Sequence, residues 1–137
     1  MNPAGYSGTP LAKKLGIKPG FDIVLINAPD NYFDLFTDLP GGLHIATEIS
    51  KGHDMIHLFA KNQQEYLSRL YLLKDQIKQN GMVWVSWPKK ASKIVTDITE
   101  DIIRNEALKN GLVDVKVCAI DDIWSGLKLV IRLKDRV

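Results

Sequence analysis

Cysteine is nearly absent from this chain: Cys118 is the only one in 137 residues. A single cysteine forbids a disulfide within the chain and rules out any CxxC metal or redox motif. No apolar run approaches the ~18 residues that a membrane-crossing helix needs. Met1-Asn2-Pro3-Ala4-Gly5 has neither the cationic nor the apolar stretch of a signal peptide. Charge of one sign is lacking too, with 18 Lys and Arg against 16 Asp and Glu. The resulting net charge of +2 argues against nucleic acid and against a membrane surface as partner. Also missing are a P-loop, an EF-hand loop, a Ser-His-Asp signature and two histidines at zinc spacing on one helix, so no metal is expected. Together these absences imply a cytoplasmic chain in a reducing compartment.

What is present reads as one α/β domain spanning residues 1–137. Thr9-Pro10 can open a short helix, threonine as cap and proline in the first turn, with Gly16 closing it. Residues 22–26 form an almost unbroken apolar run between turn signals, the mark of a strand buried on both faces. Residues 31–37, rich in aromatics, predict one or two helical turns. Residues 44–49 alternate weakly, and residues 54–59 read as a second buried strand. The gap between those two segments is too short for a helical crossover. The first of them is therefore antiparallel, at an edge, or not a strand.

Further on, Asn62 with Glu65 three residues later caps a helix over 63–79, whose apolar stripe is Tyr66, Leu70, Leu73 and Ile77. Asn80-Gly81 ends it. Residues 82–87 are a third buried strand stopped by Pro88. A helix over 97–110 follows, then strands over 114–120 and 127–133, close enough to pair as an antiparallel hairpin. The order predicts a three-layer Rossmann-like sandwich with a mostly parallel sheet and an antiparallel C-terminal hairpin.

Several residues sit where ligands bind in open α/β sheets, beyond the carboxyl ends of strands. Lys89 and Lys90, with Ser92, Thr96 and the donors of the next helix's N-terminus, can hold a phosphate or carboxylate. A proline-stopped loop with solvated lysines is the simpler reading. Trp87 and Trp124 can wall one pocket with Ser125 and Lys128 at its edge, or Trp124 can merely cover the sheet. Ser7-Gly8-Thr9-Pro10 with Lys13 and Lys14 can bind an anion, although capping explains Thr9 and Pro10 without one. His57, between Ile56 and Leu58, reads as a hydrogen-bonded core histidine, and Cys118 as a small core residue rather than a nucleophile. Asp121-Asp122 reads as an exposed turn. Tyr32, Phe33 and Phe36 are candidates for an exposed partner surface.

Leu15-Gly16-Ile17-Lys18-Pro19-Gly20 running into Ile23-Val24-Leu25-Ile26 resembles the approach to the first strand in S-adenosylmethionine-dependent methyltransferases. Leu73 to Gly81, followed by Met82-Val83-Trp84-Val85, is similar to a late helix, glycine turn and strand of that family. The resemblance implies a cofactor turn after the first strand, where only glycine lets backbone approach the ligand closely. This chain has Asn27-Ala28-Pro29-Asp30 there. Asn27 and Asp30, with Glu48 about twenty residues on as the ribose-binding carboxylate, are the positions the resemblance assigns to the cofactor. A nearly full-length resemblance is to a bacterial family, domain of unknown function 3052. It is carried by Gly5-Tyr6-Ser7-Gly8-Thr9-Pro10-Leu11-Ala12, Trp87-Pro88-Lys89-Lys90-Ala91-Ser92, Thr96-Asp97-Ile98-Thr99-Glu100, residues 111–119 and residues 122–128.

With the glycine turn missing, the expectation is a module without catalysis or cofactor, binding a small anionic ligand or a protein. The alternative is an S-adenosylmethionine-dependent methyltransferase with an atypical turn.

Overall fold

The computed structural model describes residues 9–137. A six-stranded sheet forms the middle layer: β1 (Asp22–Ile26), β2 (His44–Ala46), β3 (His53–Phe59), β4 (Ile77–Pro88), β5 (Leu112–Ala119) and β6 (Trp124–Ile131). Their spatial order is β2-β1-β3-β4-β6-β5. The first four are parallel, and β6 and β5 close the sheet antiparallel. Helices α2 (Gln63–Gln76) and α3 (Glu100–Lys109) cover one face. The other carries α1 (Leu11–Leu15) and a 3-10 turn over Tyr32–Leu35. The sandwich expected from the order of elements is the one observed.

Each face has its own apolar core, because strand residues alternate between faces. Val24, Ile56, Val83, Val85 and Leu129 meet Tyr66, Leu70, Leu73 and Ile103 on the side of α2 and α3. Ile23, Met55, Phe59, Trp84 and Trp124 meet Leu11, Leu15 and Tyr32 on the other. Two polar anchors fix the layers. Trp84 Nε1 donates to Leu15 O at 2.9 Å, and Tyr66 Oη donates to Ile103 O at 2.8 Å.

Two local expectations change, and the alternatives left open for 44–49 resolve to the edge position. The 44–49 segment is a parallel edge strand, paired with β1 through Asp22↔His44 and Val24↔Ala46. A long crossover is unnecessary because β2 has only three residues and lies across β1 from β3. Six residues, 47–52, extend to about 20 Å, enough to step back and across. The helix expected over 63–79 stops at Gln76, and Ile77 already pairs with His53 in β4. Gly81 is a close-approach residue in the irregular stretch that follows: a Cβ there would lie 3.0 Å from the carbonyls of His53 and Lys78. The helix expected from residue 97 begins at Glu100, with Thr99 as cap accepting from Ile102 N. Asp97 is turned instead to the start of α2, accepting from Gln63 N at 2.8 Å.

At the N-terminal side, Pro10 rather than Thr9 occupies the cap position of α1. The donors of its first turn go to a distant carboxylate: Ala12 N and Lys13 N reach Asp38 at 3.0 and 3.1 Å. Ser7 and Gly8, part of the anion motif expected there, lie outside the described residues.

Candidate functional site

Chain order reverses between β1 and β3, since β1 leads out to β2 on one side while β3 lies on the other. The carboxyl ends of strands at such a switch point are where open α/β sheets take ligands. Asn27 stands there, immediately after Ile26, with φ of 57°. Only Asn27 and Lys93 among the described non-glycine residues have positive φ. Both follow the carboxyl end of a parallel strand. Asparagine is the side-chain-bearing residue that tolerates this left-handed backbone best. The sequence therefore has no glycine at this turn, yet its backbone takes a glycine-like conformation.

Asn27 lines a cleft of about 200 Å³ with Ile26, Thr47, Ile49 and Arg69. Glu48 lies in the same stretch, two residues past the end of β2, and is exposed. Asp30 is exposed as well. Neither carboxylate is engaged by any described residue. The turn is pinned just beyond. Tyr32 N donates to Pro29 O at 3.0 Å, and the Tyr32 ring is buried against His57, Phe59 and Phe36. Tyr32 and Phe36 thus face the core, which corrects their reading as an exposed surface; Phe33 alone of the three is exposed.

The second predicted cluster divides into parts. Trp87, Pro88, Lys90, Lys93, Ile94 and Thr96 line a cavity of about 640 Å³ between the end of β4 and the start of α3. Ser92 closes the turn, its hydroxyl donating to Lys89 O at 2.6 Å. Thr96 Oγ1 accepts from Ile98 N at 3.1 Å. Lys89 N donates to Ile123 O at 2.8 Å and ties this loop to the start of β6.

Trp87 and Trp124 do not share a pocket. The register pairs Trp87 with Ser125 and Pro88 with Trp124, so the two indoles point to opposite faces. Trp87 belongs to the α2/α3 core, whereas Trp124 packs edge-on against Phe59 with ring centroids 5.0 Å apart. Lys128 pairs with Trp84 near mid-strand. Its Nζ lies 3.9 Å from where a Cβ on Gly16 would sit, at the end of α1, and it does not line the cavity that holds Lys90.

His57 is the core histidine expected. It is fully buried, with Nδ1 2.9 Å from Tyr32 Oη and Nε2 2.7 Å from Ser86 Oγ. Burial pushes its pKa down to about 3. Cys118 is half-buried, and burial pushes its thiol up.

A Ser-His-Asp alignment that no motif announced lies at the opposite end of the sheet. His53 Nδ1 is 2.8 Å from Asp22 Oδ1, and Ser50 Oγ is 3.5 Å from His53 Nε2. The Nε2 lone pair is already taken by Ser50 N at 2.9 Å. A base whose lone pair accepts a backbone N–H cannot also receive the serine proton. The arrangement closes a loop.

No family model matches this chain, and no curated protein does. Solved structures do. The ribosomal protein L11 methylase of Lactobacillus delbrueckii subsp. bulgaricus matches with TM-score 0.58 and 9% identity, over 88% of this chain and 74% of that one. A TehB-like SAM-dependent methyltransferase of Corynebacterium glutamicum gives 0.57 and 9%, over 88% and 85%. The fibrillarin pre-rRNA processing protein of Methanococcus jannaschii gives 0.55 and 12%, over 83% and 67%. Identities this low establish the fold, a Rossmann-like methyltransferase fold. They also correct the expectation of a non-catalytic module, which rested on the missing glycine. Among the neighbours of the fold are a ribosomal protein methylase and two further methyltransferases, and the turn that lacks the glycine holds Asn27 in a left-handed backbone conformation.

Proposed function

We propose that this chain is an S-adenosylmethionine-dependent methyltransferase with an atypical cofactor turn. The observation that carries the reading is the left-handed Asn27 at the carboxyl end of β1. A strained residue at a switch point has the character of a site selected for ligand approach rather than for packing. The cleft beside it, about 200 Å³, is below the ~300–1,000 Å³ usual for whole ligand pockets. An adenosyl group fits only by extending over the open strand ends, where Asp30 and Glu48 leave their carboxylates unengaged.

In this reading Glu48 accepts hydrogen bonds from the ribose hydroxyls, while Asn27 and Asp30 hold the loop side of the cofactor. When bound, the cofactor would supply an electrophilic methyl group carried on a sulfonium. The chain's own work is to orient an acceptor and keep water from it. The 640 Å³ cavity at the end of β4 suits the acceptor, its indole and aliphatic walls bordered by Lys90 and Lys93. We further read residues 1–137 as one cytoplasmic domain of the bacterial domain of unknown function 3052 family, on the sequence segments that carry that resemblance.

Calorimetric titration with S-adenosylmethionine and its demethylated product tests the function. Micromolar binding, about −8 kcal/mol, weakened roughly tenfold or more by Glu48→Gln, is the expected result. No heat at millimolar ligand overturns the proposal.

A further inference from the structure

On the face opposite α2 and α3, α1 and the antiparallel end of the sheet enclose a second cavity of about 490 Å³. Its walls bring together Thr9, Lys13 and Lys14 from α1 and its approach, and Lys116, Val117 and Cys118 from β5. These two segments are a hundred residues apart in sequence. They meet because Trp84 anchors the end of α1 on the sheet and β6 passes between β4 and β5.

The register extends the cluster. Lys116 pairs with Lys128 across β5 and β6, so their side chains leave the sheet on the same side. Burial holds the Lys128 ammonium below its ordinary range, and the charges of Lys116 and Lys18 push it the same way. Lys14 is itself buried at 8% exposure, with Nζ donating to Ala119 O at 3.0 Å. An ammonium is thus built into the wall beside Lys13 and Lys116, and Lys128 and Lys18 add their charge next to Lys116.

Like charges set this close repel one another, and a fold normally intersperses carboxylates among them. Here none lines the cavity among the described residues. Lys13, Lys18, Lys116 and Lys128 make no ion pair with any described carboxylate. Asp38, at the start of α1, is committed to backbone donors. Elsewhere on the chain Lys78, Lys109, Arg104 and Arg132 are each paired. The charges of Lys13, Lys18, Lys116 and Lys128 are thus balanced by no described carboxylate.

We propose that the cavity between α1 and β5–β6 binds a small phosphate-bearing anion. Lysines engage phosphate as point charges from several directions, whereas planar carboxylates are matched by the fork of arginine, and none of the walls contributes an arginine. The volume falls within the range of small-molecule sites. Among the described residues no aromatic ring lines the cavity, so they offer no stacking platform of the kind a single-stranded nucleic-acid groove uses. Strands β3, β4 and β6 lie between β5 and the strand that leads into Asn27, and the inference does not depend on the methyltransferase reading.

Inorganic pyrophosphate is the probe, titrated by calorimetry and thermal shift at fixed low ionic strength. The site variant is Lys13→Gln with Lys116→Gln, both exposed, so the fold tolerates it. The control is Lys51→Gln with Lys134→Gln, exposed lysines elsewhere. The expected result is a raised melting temperature in the native protein, binding weakened about tenfold or more in the site variant, and less than about twofold change in the control. Unaltered S-adenosylmethionine affinity in the site variant separates this site from the cofactor end. Equal weakening in both double variants, or no stabilisation by millimolar pyrophosphate, overturns the proposal. Tighter binding of a short single-stranded RNA that displaces pyrophosphate overturns it too, in favour of a nucleic-acid surface.

Discussion

The hydroxyl of Tyr32 lies 2.9 Å from Nδ1 of His57, joining the loop after β1 to the middle of β3. Ser86 on β4 completes the line at 2.7 Å from Nε2. All three groups are buried. A neutral imidazole donates at one nitrogen and accepts at the other, and two hydroxyls satisfy it without introducing charge. The bond also fixes the segment that carries Asn27-Ala28-Pro29-Asp30, so the core histidine helps set the geometry of the candidate cofactor turn.

Protonation of His57 is therefore expected to undermine the fold. Its folded pKa, near 3, lies below the unfolded value near 6.5. The unfolded chain then binds the extra proton first as pH falls. The stabilisation is complete above about pH 6.5 and is lost progressively toward pH 3, on the order of a few kcal/mol. Urea midpoints measured from pH 7 down to 4 should fall more steeply for the native protein than for His57→Gln. If that variant does not fold, Tyr32→Phe should cost about 1–3 kcal/mol by stranding a buried nitrogen. Parallel pH profiles, or no loss in Tyr32→Phe, would refute this account.

Asn27 allows a cleaner backbone test because it is exposed. Asn27→Gly should leave stability unchanged or raise it slightly, since glycine adopts φ near 57° without strain. Asn27→Val should cost about 1–2 kcal/mol, because a β-branched residue resists the left-handed region. Equilibrium urea unfolding of the two variants decides the matter. Equal midpoints would mean that the left-handed turn imposes no constraint.

How far the sequence disclosed this arrangement depends on what each residue's neighbours are. The run Asp22–Ile26 was legible as a buried strand because apolar residues fill both faces and turn residues bound it. Ile77 was not, since a residue at helical spacing from Leu73 also reaches the α2/α3 core as the first residue of β4. The indoles of Trp87 and Trp124 go to opposite faces through a register that pairs them one residue out of step, and single-chain periodicity carries no register. Asn27 showed as a missing glycine; its dihedral is what reverses the reading. Lys13 and Lys14 drew notice as a possible anion site, but their companions Lys116 and Lys128 come from strands whose neighbours no local pattern reveals. Lys93, the other left-handed residue, gave no signal at all.

Gly126 offers the last test, and one that reports on the sheet beneath the basic cavity. It sits in β6 opposite Ser86 and Cys118. A Cβ built there would lie 3.0 Å from Ile120 Cδ1 and 3.1 Å from Trp84 Cε3. Both neighbours are fully buried, and Trp84 is further held by its bond to Leu15 O, so neither can retreat freely. Gly126→Ala should therefore cost about 1–3 kcal/mol through overpacking, although alanine suits a strand better than glycine does. Gly41→Ala, where nothing lies within 4 Å of the added methyl, serves as the comparison and should be close to neutral. Because Trp84 holds the end of α1, the strain should also loosen that helix, and limited proteolysis near Lys13 and Lys14 should quicken in Gly126→Ala alone. A Gly126→Ala protein as stable as the native one would show that the indole and Ile120 can shift at no cost, and that α1 is not held by this contact.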